Sequence, residues 1–107
     1  MYSLSTHILD ISTGTPAQGV TVTLARNNQI LARCVTDDNG RISEFSHELT
    51  QGEYQLVAEL GNWFRRSGRE TLYTCARIDF VIHEAADAHY HLPFLIAPGG
   101  WSTYRGS

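Results

Sequence analysis

His89–Ser107 reads HYHLPFLIAPGGWSTYRGS, and the fold of the whole chain can be worked outward from it. Alternation with a period of two puts His89, His91, Pro93 and Leu95 on one face of a strand and Tyr90, Leu92, Phe94 and Ile96 on the other. Two imidazoles thereby share a face. Pro98, Gly99 and Gly100 predict a turn, because proline fixes φ and glycine tolerates positive φ, and Trp101–Tyr104 predicts a short return strand. Arg105, Gly106 and Ser107 follow at once. Termini fray unless something holds them, so a polar tail directly behind aromatic residues is expected to dock where that strand ends.

Upstream the same short period recurs. Ser5–Ile11 alternates, with His7, Leu9 and Ile11 on one face and Thr6, Ile8 and Asp10 on the other. A turn cluster at residues 12–16 leads through Gly19 to VTVTLAR, where Val20, Val22 and Leu24 point inward. Asn27-Asn28 predicts a tight turn into a strand over residues 30–36, and Asp37-Asp38-Asn39-Gly40 a second turn that delivers Arg41 to the start of a short strand. Tyr54, Leu56, Ala58 and Leu60 form one further alternating set, and Thr74, Ala76, Ile78, Phe80 and Ile82 another. Between them, Asn62–Gly68 predicts a single short helix with Asn62 as N-cap and Gly68 at its C-terminal end, its Trp63 or Phe64 plugging the sandwich while Arg65 and Arg66 face water. Seven to eight short strands with regular turns and one helix predict an all-β fold, an antiparallel β-sandwich.

The chain of 107 residues is expected to be one domain, residues 1–107, with a single modest core. Its 42% hydrophobic and 18% charged residues exclude a disordered chain. A formal net charge of −3 with scattered arginines leaves no electrostatic footprint for nucleic acid. No apolar run approaches the ~18 residues of a membrane span. Cys34 and Cys75 stand alone, without C-x-x-C spacing or a secretory leader, and predict two buried thiols in a reducing cytoplasm.

With HYHLPFLIAP and STYRGS in view, the C-terminal stretch resembles the signature of the transthyretin-related 5-hydroxyisourate hydrolases, HYHxPLLxSPxxYSTYRGS. LSTHILDISTGTPAQGV is similar to that family's N-terminal motif and TDDNGR to its D-x-D-G-R, so the likeness covers essentially the whole chain. It implies a transthyretin-like sandwich of two four-stranded sheets. It implies also a homotetramer, a dimer of dimers with sites buried between dimers, acting in urate breakdown on a small molecule, 5-hydroxyisourate. Neither metal nor organic cofactor is implied.

Ring opening of an oxidised purine needs an activated water, a polarised carbonyl and support for developing oxyanion charge. The family's catalytic positions map onto His7 in THILD, Arg41 in DNGR, His91 as the second histidine of HYH, and Ser107; Tyr104 and Arg105 map onto substrate binding. Each has an ordinary explanation too. His7 shares a face with Leu9 and Ile11 and could simply pack, Arg41 could be a solvated turn residue, and Arg105 and Ser107 could fray. His89 and His91, at i and i+2 on a strand, could hold a metal, but Asp87 is the nearest candidate partner and a third ligand would have to come from elsewhere. Under the resemblance His91 manages the proton and His89 is structural.

The sequence departs from the family at Trp101, where Tyr is usual, at Ala97, where Ser is usual, at the Gly99-Gly100 turn, and at Leu72-Tyr73-Thr74-Cys75, which replaces an aromatic-aromatic-proline segment. None removes a candidate catalytic group. Two other classes of function compete: a non-catalytic transthyretin-like carrier of a small ligand, against which the intact STYRGS tail argues, and a structural β-sandwich interaction module. No G-x-S-x-G supports a serine nucleophile.

Overall fold

The computed structural model describes residues 2–45, 48–84 and 88–106. Its organising element is strand β1 (Tyr2–Asp10), whose Leu4, Ile8 and Asp10 are buried on one face while Ser3, His7 and Leu9 are half-exposed on the other. In chain order there follow β2 (Thr15–Pro16), β3 (Thr21–Arg26), β4 (Gln29–Val35), β5 (Arg41–Ile42), β6 (Gly52–Ala58) and, after helix α1 (Leu60–Arg66), β7 (Ala76–Ile82). The C-terminal stretch supplies β8 (Ala88–His91), β9 (Phe94–Ala97) and β10 (Gly100–Thr103).

Two sheets result. One has the order β4-β3-β6-β7 and is antiparallel throughout. The other is built on β1, with β9 and then β10 on one edge, β2 on the opposite edge, and β5 and β8 also paired to β1. Inward residues of both sheets interdigitate: Leu4 and Ile8, Phe94 and Ile96, Val22 and Leu24, Leu56 and Ala58, Ile78 and Ile82. Phe64 and Leu60, four residues apart on α1, close the sandwich with both side chains fully buried, and the Trp63 indole N–H donates to the Gln18 carbonyl at 2.7 Å.

The structure corrects several details of the sequence reading. The sandwich is not wholly antiparallel, since β8 and β9 both run parallel to β1. Ten strands occur among the described residues; eight have four residues or more, and β2 and β5 are two-residue pairings. The single strand expected over residues 89–96 breaks at Leu92-Pro93, because proline has no N–H to give to the ladder. The break is bridged instead by Leu92 N–H to Ser5 O at 3.1 Å and Thr6 Oγ1–H to Leu92 O at 2.6 Å.

The helix begins earlier than expected. Leu60 belongs to α1 and not to β6, and Asn62 is no cap: Glu59 holds that position without a side-chain bond, while Asn62 Oδ1 accepts from Arg65. Burial of Leu60 outweighs the capping signal. The C-terminal end is as read, with Gly68 at φ +77° just past it, its N–H bonded to Arg65 O and that of Arg69 to Phe64 O. Asn27 and Asn28, both at positive φ, make the expected tight turn. Cys34 and Cys75 are free and half-buried, not fully buried.

Candidate active site

The site is assembled by register. On the half-exposed face of β1 lie Ser3, Ser5 and His7, and the parallel pairing with β8 sets Ser3 beside His89 and Ser5 beside His91. The antiparallel pairing with β5 sets His7 opposite Arg41. Six polar side chains from three strands thus face one way, although their positions in the chain span residues 3–91.

The turn that delivers Arg41 is held tightly. Asp37 Oδ1 accepts from the N–H groups of Asn39 and Arg41, both at 2.9 Å, and Gly40 N–H donates to Asp37 O at 2.9 Å. Gly40 has φ +73°, and a Cβ there would lie 2.5 Å from the Ile8 carbonyl oxygen. Only glycine lets this turn approach β1 closely enough for Ile8 N–H to reach Gly40 O at 2.8 Å.

Ser5, Thr6, Arg41, Ile42, Ser43, His89 and His91 line a cavity of about 300 Å³. A larger cleft of about 810 Å³, bounded by Arg33, Arg65, Tyr73 and Cys75 among others, contains no histidine and is the less suited to acid-base work. His91 is fixed on both flanks. Its Nδ1 is 2.7 Å from Ser5 Oγ, and its Cδ2 edge abuts Gly106, where an added Cβ would come within 2.5 Å.

The electrostatics favour neutral imidazoles. Burial holds His91 below its ordinary value, and the charges of Arg41, His89 and His7 push it the same way. Burial and then Arg41 lower His7 too, against a smaller opposing pull from the Asn39 backbone and Asp37. Both rings therefore stand ready to accept a proton at neutral pH.

The tail docks, as expected. Gly106 N–H donates to His91 O at 2.7 Å, Thr103 Oγ1–H to Pro93 O at 2.7 Å, and the Arg105 guanidinium sits 4.6 Å from the centre of the Tyr90 ring. Tyr90 lies on the opposite face of β8 from the imidazoles, and neither Arg105 nor the exposed Tyr104 lines the cavity. Ser107 lies outside the described residues. Of the residues singled out in the sequence, Arg41 and His91 line the cavity, and His7, paired opposite Arg41, lies beside it without lining it.

Sequence reasoning missed Ser3, Ser5 and Ser43 and left His89 outside the site. The signal for Ser3 and Ser5 was their parity with His7, usable only once β1 is known to pair with β8. Asp10, in the same N-terminal motif, is structural. It is buried, bonds Ser12 and forms a 2.7 Å ion pair with Arg69, whose guanidinium also packs over Phe64. Among the described residues no group of three or more His, Cys, Asp or Glu side chains is placed to hold a metal, and no helix is long and apolar enough to cross a membrane.

Residues 4–106 match the model of the family described as Transthyretin, HIUase/Transthyretin family. The chain belongs to the HIUase/transthyretin family. It is 40% identical over 116 residues to the 5-hydroxyisourate hydrolase of Caulobacter vibrioides, an alignment spanning 100% of both chains. It superposes on the structure of Klebsiella pneumoniae 5-hydroxyisourate hydrolase with a TM-score of 0.94 and 63% identity, again over 100% of each chain. Sea bream transthyretin, solved in complex with thyroxine, aligns with a TM-score of 0.90 and 25% identity over 96% of this chain and 93% of that one. The family thus places enzymes and a thyroxine-bound protein on one two-sheet fold, and the site has to tell them apart.

Proposed function

We propose that the chain hydrolyses 5-hydroxyisourate to 2-oxo-4-hydroxy-4-carboxy-5-ureidoimidazoline, in urate breakdown, without metal or organic cofactor. The observation that carries this reading is the convergence of His7, His91 and Arg41, two neutral imidazoles and a guanidinium, on one face of the β1 sheet. The hydrolase relatives of similar length support it. A ligand carrier has no need of paired bases held neutral, whereas a hydrolase does.

The chemistry follows from the groups. One imidazole takes a proton from water as its oxygen adds to the ring carbonyl. Arg41, always charged, supports the oxyanion that forms there through hydrogen bonds to the planar substrate. The C–N bond then breaks, the departing nitrogen takes up that proton, and the new carboxyl group loses the second water proton to solvent, leaving a carboxylate on the opened ring. His91, clamped between Ser5 and Gly106, is assigned the water, and His7 the second proton position. Tyr104, Arg105 and Ser107 are assigned to substrate positioning in a cytoplasmic homotetramer, a dimer of dimers in which the cavity is closed by a neighbouring subunit.

The test generates the unstable substrate in situ with a urate oxidase and follows its ultraviolet decay. Decay well above the spontaneous rate is expected, falling by about two to four orders of magnitude in His91→Ala; decay at the spontaneous rate would overturn the proposal. Light scattering on the full chain and on one ending at Thr103 tests the tetramer and the part the tail plays in it.

A further inference from the structure

Ser5 Oγ lies between two imidazoles, 2.8 Å from His89 Nε2 and 2.7 Å from His91 Nδ1, and the far nitrogen of His89, Nδ1, is 2.5 Å from Ser3 Oγ. Four side chains form one hydrogen-bonded row, Ser3, His89, Ser5 and His91, along the β1–β8 seam. The proton count restricts it. A serine hydroxyl has one proton, so Ser5 can donate to only one of the two imidazoles, and a neutral imidazole carries one N–H.

Only two arrangements satisfy every link with the Ser5 proton kept inside the row. In the first, Ser5 donates to His91 Nδ1, which leaves the His91 proton on Nε2 and that nitrogen unable to act as a base. In the second, His91 Nδ1–H donates to Ser5, Ser5 O–H donates to His89 Nε2, and His89 Nδ1–H donates to Ser3. His91 Nε2 then presents a lone pair. Arg41 decides between them, because it lines the same cavity and its positive charge repels an N–H dipole and favours a lone pair.

We propose that Ser5 and His89 are positioning residues that hold His91 in the Nδ1–H tautomer, with Nε2 unprotonated and available in the cavity. The row thus does for His91 what a carboxylate does for the histidine of a catalytic triad: it fixes ring and tautomer. The groups that bear on His91 are Arg41 from β5, His7 from β1 and His89 from β8. All are cationic or able to become so, and no carboxylate among them competes for the Nδ1 proton. The kinetic consequence rests on the hydrolase reading above; the tautomer itself does not.

The test therefore begins with ¹⁵N spectra of the histidine-labelled full-length protein at about pH 8, where His91 is expected to show a protonated Nδ1 and a bare Nε2. A protonated Nε2 in the wild-type protein overturns the proposal whatever the activity. Ser5→Ala is expected to shift the His91 nitrogens toward a mixture of tautomers and to lower kcat about 10- to 100-fold, with KM changed less than about twofold. Ser5→Thr, which keeps the hydroxyl, restores both. Wild-type tautomer and kcat in Ser5→Ala would overturn the assignment. If that variant does not fold, His89→Phe carries the same expectation. A wild-type protein with no hydrolase activity would refute the proposed function and leave the ¹⁵N result to judge the row by itself.

Discussion

Gly106→Ala puts the docked tail to a quantitative test. A Cβ at residue 106 would meet His91 Cδ2 at 2.5 Å, Cγ at 3.3 Å and Cβ at 3.4 Å, so the first contact is about 0.9 Å short of ordinary van der Waals separation. Two movements relieve it. The imidazole can swing away and give up its 2.7 Å bond with Ser5, or the tail can lift and give up the 2.7 Å bond from Gly106 N–H to His91 O. Each costs stability about 1 kcal/mol, the net worth of one hydrogen bond. The kinetic cost is larger, because a displacement of about 1 Å in a reacting group costs on the order of 10²-fold, or about 2.7 kcal/mol of barrier. Steady-state decay of in situ substrate, read beside a thermal melt, should show kcat/KM about 100-fold lower and a Tm lower by only a few degrees. Wild-type kcat/KM within about twofold would refute the reasoning, since it would mean that the His91 ring needs no fixed seat.

Further predictions concern charge and packing. His7 and His91 both titrate below the ordinary value of 6.5, so the acid limb of kcat/KM should turn below pH 6.5 and Arg41→Gln should move it upward; an inflection at or above 6.5 in the wild type contradicts this. The same depression has a stability sign: the unfolded chain takes up these protons first, so acidification through pH ~6.5 weakens the fold, visible as a falling urea midpoint. At Asp10, burial pushes the carboxyl up, but the bonds from Ser12 and Arg69 together outweigh it and leave it lowered. Its contribution is thus present at neutral pH and lost as pH falls below ~4; Asp10→Asn should cost about 1–3 kcal/mol at pH 7, discounted because the Arg69 side chain is 31% exposed. The gap between the urea midpoints of the two proteins should narrow as pH falls below ~4, and a gap that stays constant throughout the acid range would refute the assignment. Phe64→Ala, removing the fully buried side chain that closes the sandwich, should cost about 3–5 kcal/mol by the same measurement, and a loss under about 1 kcal/mol would show that α1 does not close the core.

Much of this architecture was readable residue by residue. Alternation at Val22 and Leu24, at Leu56 and Ala58, and at Ile78 and Ile82 marks strands whose inner faces the structure buries. The Asn27-Asn28 turn and Gly68 were legible because positive φ restricts residue choice. Local signals failed where tertiary burial overrode them, as at Leu60, drawn into the helix ahead of the better N-cap at Asn62. They failed again at Pro93, whose missing N–H splits one apparent strand in two.

The site divides along the same line. His7, Arg41 and His91 stand in motifs that can be matched, but the polar row through Ser3, Ser5 and His89 exists only in the parallel pairing of β1 with β8, joining residues more than 80 positions apart. No window of the sequence contains both partners. Arg105 takes its substrate-positioning role from its place in the tail motif alone; the contact of its guanidinium with the Tyr90 ring joins residues that no alternation pattern would pair.

The central claim is that His91 and Arg41 act on one substrate in the cavity over the β1–β8 seam. A crystal structure of the full chain with a stable, non-hydrolysable urate-like purine tests it most directly. The heterocycle is expected within hydrogen-bond reach of both the Arg41 guanidinium and His91 Nε2. A purine bound in the larger cleft beside Arg33 and Tyr73, with the histidine cavity empty, would contradict it.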